Sequence, residues 1–258
     1  MKKAVLIILL CMFNGVATQY AQSVNALIEK GKEILYNGRV HFDQSEMFEA
    51  RGMFERALAI DEANYLAQYY LSLTDYNLAV YSMRKNEKEQ FQKFAFSSEE
   101  ILKKLIHENE LDAEAVSLLG ALYGIQVAMN PDLGASLGSQ NIALTSRAFG
   151  TAPDNPRVLL QKGVSKFNSP EFVGGSKTEA LKYFSQSVKA FESQAEKNKE
   201  IDWGYLDALA WLGVAYFNSD DYEKAIITYK KALEVEPDFA RVKYDLLPKA
   251  EEKLTSTN

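Results

Sequence analysis

The sequence predicts an all-α protein, a single solenoid of stacked helix pairs, and three observations carry that expectation. Apolar residues recur at three- and four-residue spacing in segment after segment, the period of a helix with one buried face. Small residues such as Gly120, Gly163, Ala180, Gly213 and Ala225 stand inside those stripes, where they let two helix backbones cross closely, and no sustained alternation at period two competes for a strand. The 258 residues are 47% hydrophobic and 25% charged, enough apolar content for a sizeable core. The formal charge of −6 gives no positive field to collect nucleic acid, so no nucleic-acid partner is expected.

The first element is of another kind. Met1, Lys2 and Lys3, the apolar run Ala4 to Phe13 and the small residues behind it read as a signal peptide over residues 1–21. Cleavage is expected after Ala17, with Gly15 at the third position back, or after Ala21. The apolar run is about half the ~20 residues that span a bilayer, so the mature chain should carry no transmembrane segment and be exported, periplasmic or secreted. A lipidated cysteine needs a small residue before it, and Cys11 follows Leu10, so no lipid anchor is expected. Cys11 is the sole cysteine, and its loss with the signal excludes disulfides, thiolate nucleophiles and cysteine zinc sites. Losing Lys2 and Lys3 takes the formal charge from −6 to −8. No Asn-x-Ser/Thr sequon occurs, consistent with bacterial export.

One domain is expected over residues 24–254, with about four to five units. Ala50, Phe54 and Ala57 mark the second helix of an opening unit. Leu71 and Tyr76, then Ile101 and Leu105, carry a degenerate second one. Val116, Leu119, Gly120 and Tyr123 open a third. Ala148 and Pro153 close it, and Leu159 with Gly163, then Ala180 with Phe184, make the fourth. The final unit is the clearest: Leu206, Leu209, Leu212 and Tyr216 line one helix, and Ala225, Tyr229 and Ala232 the next, before Pro237 stops it. Val242, Leu246, Leu247, Ala250 and Leu254 define a capping helix that Pro248 kinks or divides, and residues 255–258 read as a polar tail.

The stretch from Leu206 to Phe239 resembles a tetratricopeptide repeat. With Leu206 as position 1, Leu209, Leu212, Gly213, Tyr216, Tyr222, Ala225, Tyr229, Ala232 and Pro237 fill the family's signature places. The resemblance implies a right-handed superhelical solenoid of helix-turn-helix pairs in which each unit buries its apolar face against its neighbours. Glu62 and Glu110 stand where the family's stop proline is expected.

Spacing separates the units. Gly213 to Ala225 is 12 residues, the family spacing, whereas Gly163 to Ala180 is 17 and Gly120 to Asn141 is 21. The extra residues are expected in elongated turns, in the opening and second units as well. In the fourth unit, Gly174 and Gly175 suit a turn, and Ser176 with Glu179 makes an S-x-x-E capping box. A phosphate loop would need G-x-x-x-x-G-K-[ST] after a strand, and neither is present. Turns that emerge on one edge either form a second binding surface or are tolerated insertions.

No catalytic residue, metal site or cofactor is expected. His107 in HENELD lies at a second-helix end without a helical His-x-x-x-His partner, and His41 lies in an elongated turn without an evident partner. Glu99 and Glu100 read as a helix start opposite Ser97, a second S-x-x-E box. What remains is a surface for binding. The resemblance implies that first-helix positions 2, 5, 9, 12 and 13 line a concave groove, which places Tyr69, Tyr76, Asn77, Arg157, Phe167, Asn168, Asp207, Phe217 and Asn218 there. An aromatic-Asn pair recurs as Tyr76-Asn77, Phe167-Asn168 and Phe217-Asn218. Either the ring packs on the neighbouring unit while the Asn ends its helix in a left-handed conformation, or the pairs form a ladder that holds an extended peptide or a polymer. The expected function is a non-enzymatic scaffold with a protein or peptide partner in the cell envelope. The alternative is a solute-binding accessory similar to repeat-containing components of tripartite transporters.

Overall fold

The computed structural model describes residues 2–193 and 200–257. The side chains of residues 2–21 and 257 lie outside that description, and with them the expectations for Cys11 and the cleavage site; Met1 and Asn258 lie outside it altogether. The described helices are α1 (Lys2–His41), α2 (Gln44–Ile60), α3 (Tyr65–Lys85), α4 (Lys88–Glu108), α5 (Ala113–Met129), α6 (Leu137–Thr151), α7 (Pro156–Asn168), α8 (Lys177–Phe191), α9 (Tyr205–Phe217), α10 (Tyr222–Val235) and α11 (Leu247–Thr257). Each odd-numbered helix packs on the even-numbered one that follows it, giving five pairs, and α11 closes the last pair against α10.

One crossing recurs through all five pairs. Gly31 faces Phe54, Gly120 faces Thr145, Gly163 faces Phe184 and Gly213 faces Tyr229, each so closely that an added Cβ would stand less than 3.0 Å from the partner side chain. In the second pair Ser72 takes the glycine's place, and Ser98 Oγ donates to its carbonyl at 2.9 Å. A small residue on one helix and a ring, a threonine methyl or a serine hydroxyl on the other is thus the joint of each unit. The expectation for Gly213 holds.

The units without a stop proline end by another device. Asn64 and Asp112 cap the helices that follow Glu62 and Glu110, their side chains accepting from the amides of Ala67 and Ala115. Asn155 does the same for α7 after Pro153. A side-chain oxygen that satisfies a free first-turn amide fixes where the next helix starts, so the preceding one must stop.

The turns differ from expectation in the first two units. Only Phe42 and Asp43 separate α1 from α2, and only Asn86 and Glu87 separate α3 from α4. The added residues lengthen the helices instead: α3 and α4 have 21 residues each, against 13 in α7 and α9. His41 therefore ends α1, with Nδ1 3.2 Å from Glu46 Oε2. Ser97 is not a cap, because α4 begins nine residues earlier; its hydroxyl donates to Asp75 Oδ2 at 2.6 Å. Asp75 is fully buried and also accepts from Arg51 Nε at 2.7 Å. Burial pushes its carboxyl above the usual range, against the pull of Arg51 and Ser97.

Elongated turns do occur in the third and fourth units, where the 3-10 turns Pro131–Gly134 and Glu171–Val173 fill them. Gly174 has φ +91°, the left-handed region, and a Cβ on Gly175 would stand 1.8 Å from the Ser169 carbonyl oxygen, so both glycines are required. Ser176 caps α8 through the Glu179 amide, but the Glu179 carboxylate turns to Lys166 at 2.6 Å, and only half of the capping box forms. At the C-terminus a π-helical turn at Val242–Leu246 leads into α11, where Pro248 offers no amide for the regular ladder. The helix continues through Thr257, so residues 255–257 of the expected tail are helical.

Candidate functional site

A segment of the chain itself lies against several first helices. The segment Glu200 to Gly204, between α8 and α9, lies across α1, α3 and α7, and Ile201 and Trp203 are buried. Lys32 Nζ of α1 reaches the Glu200 carbonyl at 3.1 Å and the Asp202 carboxylate at 3.0 Å. Tyr70 of α3 donates to Asp202 Oδ1 at 2.7 Å and accepts from its amide at 3.0 Å. Trp203 Nε1 donates to the Tyr69 hydroxyl at 3.0 Å, and Arg39 stacks over the indole, 5.1 Å from the ring centroid. Gly204 then starts α9 with φ +113° and its backbone against Phe191, where a side chain would collide.

Arg157 fixes the far end of this segment. It is 1% exposed, donates to the Trp203 carbonyl at 3.3 Å and pairs with Glu114 of α5 through Nε at 2.8 Å. Asn155 Nδ2 also donates to Glu114 Oε1, at 2.7 Å, and the Tyr69 hydroxyl lies 3.3 Å from Oε2. A buried cation is thereby neutralised and hydrogen-bonded, the condition under which an ion pair survives desolvation. Burial, then the Glu114 charge, holds the Tyr69 phenol well above its ordinary pKa, so it stays a neutral hydrogen-bonding group.

The nine residues placed on the groove by register divide into four groups. Tyr69 and Arg157 are buried under the 200–204 segment and hold it. Tyr76 and Asp207 lie at the junction of the first and last units: Asp207 pairs with Arg39 of α1, and burial followed by the Asp207 charge pushes the Tyr76 phenol up to about 12. Phe167 packs edge-on against Trp211 of the next unit with centroids 5.7 Å apart, whereas Phe217 packs on Tyr222 of its own unit at 5.3 Å.

The three asparagines do not take the left-handed conformation expected of a helix end. Asn77, Asn168 and Asn218 each donate through Nδ2 to the carbonyl four residues back, at 2.7, 2.9 and 2.9 Å. None has positive φ; the left-handed non-glycine residues among those described are Phe42, Asn86 and Asp220. Asn77 lies inside α3, because that helix runs on to Lys85.

Register reasoning missed Lys32, Arg39, Tyr70 and Glu114, which no repeat position singles out. It also missed the segment they hold. One signal was present: Trp203, one of two tryptophans in the chain, stands outside any periodic helix stripe and before a glycine. Beside the segment, a cleft of about 440 Å³ remains, lined by Lys32, Tyr36, Arg39, Tyr70, Asp202 and Trp203 among others. Tyr36 also donates to Glu236 Oε2 at 2.8 Å, a second bridge from the first unit to the last.

The tetratricopeptide repeat family model matches residues 206–239. No curated protein matches the chain. Among solved structures, TTC0263, a thermophilic tetratricopeptide-repeat protein of Thermus thermophilus, is 18% identical with a TM-score of 0.58, covering 87% of this chain and 99% of that one. The HusA haemophore of Porphyromonas gingivalis is 19% identical with a TM-score of 0.58, covering 77% of this chain and 94% of that one. At these identities the likeness is one of fold. Among the described residues no helix is long and apolar enough to cross a membrane. The five stacked helix pairs thus form an all-α solenoid similar to that of tetratricopeptide-repeat proteins, a fold typical of protein interaction scaffolds, and the final unit matches that family's repeat.

Proposed function

We propose that the protein is an exported, non-catalytic scaffold that holds protein or peptide partners in the cell envelope through its concave face. The observation that supports this reading is the seated segment Glu200 to Gly204. Side chains of three first helices grip it through two backbone carbonyls, one amide, a carboxylate and an indole. That is the chemistry by which a groove takes a peptide strand, main chain for affinity and an aromatic anchor for register. A partner that presents an acidic and an aromatic side chain in succession would compete for the same contacts.

The test is cross-linking in the native cell with wild-type protein and with Trp203→Ala, after circular dichroism has shown the variant to be helical. Recovery of one envelope protein, enriched by the variant, is the expected result. Equal recovery from both would remove the groove from the reading, and recovery of nothing would remove the scaffold.

The cleft of about 440 Å³ favours a second reading, a solute-binding accessory. A structural neighbour described as a haemophore makes haem one arm of the assay, beside small acids and sugars. A saturable rise in unfolding temperature with one of these, lost in Tyr70→Phe or Arg39→Gln, would favour the accessory.

A further inference from the structure

The residue just before the crossing position of the first helix is a buried leucine in three units: Leu71, Leu119 and Leu212. In the fourth unit the same place holds Lys162, 7% exposed. Its ammonium has three N–H donors, and its one hydrogen bond goes to Ser146 Oγ at 2.7 Å. That hydroxyl is itself committed to the Ile142 carbonyl at 2.6 Å. Among the described ion pairs none involves Lys162, so a cation sits at a core position without a carboxylate in contact with it. A buried, unneutralised charge is costly unless something supplies the opposite sign.

Lys162 borders a pocket of about 260 Å³ lined also by Ile142, Ser146, Ser165, Lys166, Ser169 and the turn residues Val173 and Gly174. Lys166 is differently placed. Its Nζ holds the Gly174 carbonyl at 2.9 Å and Glu179 at 2.6 Å, so it fastens the elongated turn as the pocket's rim and is already neutralised. The pocket therefore keeps one positive charge without a directly bonded counter-charge. Next to Val173, Phe172 is 89% exposed, the most exposed large apolar side chain among the described residues. Burial, and then the neighbouring Lys166, hold the Lys162 pKa below its ordinary value; the more distant Glu179 charge opposes them without restoring it, and an anion in the pocket would add to that opposition.

We propose that this pocket binds a small anionic group, a carboxylate or a phosphate, with Lys162 as its counter-charge, Ser146 and Ser169 beside it, and Phe172 with Val173 under any apolar body it carries. The five residues that lengthen the α7–α8 turn would then be the rim of a site and not a passive insertion. Nothing in the proposal depends on the concave face or on the scaffold reading.

The test is a titration followed by NMR at constant ionic strength, reading the backbone amides of Lys166 and Gly174. Inorganic phosphate and N-acetylphenylalanine serve as separate probes. Saturable shifts are expected with at least one, and which one saturates distinguishes phosphate from carboxylate. Lys162→Leu restores the residue that three other units use, so it should fold at least as stably while losing affinity tenfold or more. Phe172→Ala should weaken N-acetylphenylalanine and leave phosphate unchanged. If neither probe saturates the wild type, or Lys162→Leu binds as well as wild type, the proposal is overturned. The wild-type titration decides even if the variant does not fold.

Discussion

Trp203→Ala tests whether the 200–204 segment is integral to the solenoid or merely rests on it. A buried tryptophan removes about 150–250 Å² from water, and at ~25 cal/mol per Å² that is ~4–6 kcal/mol, part of which alanine retains. With 8% exposure, Trp203 realises nearly all of it. The indole hydrogen bond to Tyr69 contributes ~1 kcal/mol net, and the Arg39 guanidinium over the ring ~0.5–1 kcal/mol. Against this, the emptied site borders the cleft beside the segment, so water entering it offsets part of the loss. The expected cost is ~3 kcal/mol, within the range for aromatic-to-alanine truncation in a core. For a chain of this size that is roughly a 6–12 °C fall in Tm. Urea unfolding followed by far-ultraviolet circular dichroism measures it, with Trp203→Phe as the control that keeps a ring and loses the ~1 kcal/mol of the indole hydrogen bond. A loss below ~1 kcal/mol for Trp203→Ala would refute the reasoning and make the segment a loosely held strand.

Three further outcomes are expected. Gly213→Leu should cost ~1–3 kcal/mol or more by urea midpoint, because even its Cβ would stand 2.2 Å from the Tyr229 ring; an unchanged midpoint would place the crossing elsewhere. Arg51→Met should cost ~3–5 kcal/mol at neutral pH by leaving the buried Asp75 charge unpaired. Because the folded pKa of Asp75 already lies above its unfolded value, the folded state binds its proton more tightly, so that deficit should shrink as pH falls through the raised pKa; a deficit that grows instead would contradict the assignment. N-terminal sequencing of protein recovered from the native cell should begin at Thr18 or Gln22, and a chain starting at Met1 would remove the export reading.

The helix pairs were legible because their signal is local. A small residue at Gly213 and a ring at Tyr229 lie within one unit, and their spacing repeats. The degenerate second unit was visible only as helix, since Ser72 and Ser98 make by hydrogen bonding the joint that the first, fourth and fifth units make with glycine and a ring. The elongation of that unit was legible as a residue count but not as a place: the same spacing is met by two long helices or by a long turn, and no proline or glycine cluster forces the turn there. Register alone brought Tyr69 and Arg157 together but not the segment they hold. Tyr69 and Arg157 do point inward, but what they meet is Trp203, 46 residues further along the chain from Arg157. No periodic pattern encodes a segment that crosses helices from several units, because each of its contacts is made with a residue chosen singly.

The bridges from Arg39 to Asp207 and from Tyr36 to Glu236 bear on how this array can change in length. An open stack of repeats tolerates the gain or loss of a unit, since each new joint resembles the old ones and the end units have no appointment to keep. Here the first helix must meet the ninth. A unit removed or added between them would shift α9 relative to α1, and both contacts would have to break or re-form. Among the described residues, the two bridges thus tie the number of units to the placement of the ends. Duplication, the usual route by which repeat proteins grow, would have to break both bridges before it gave this protein anything new.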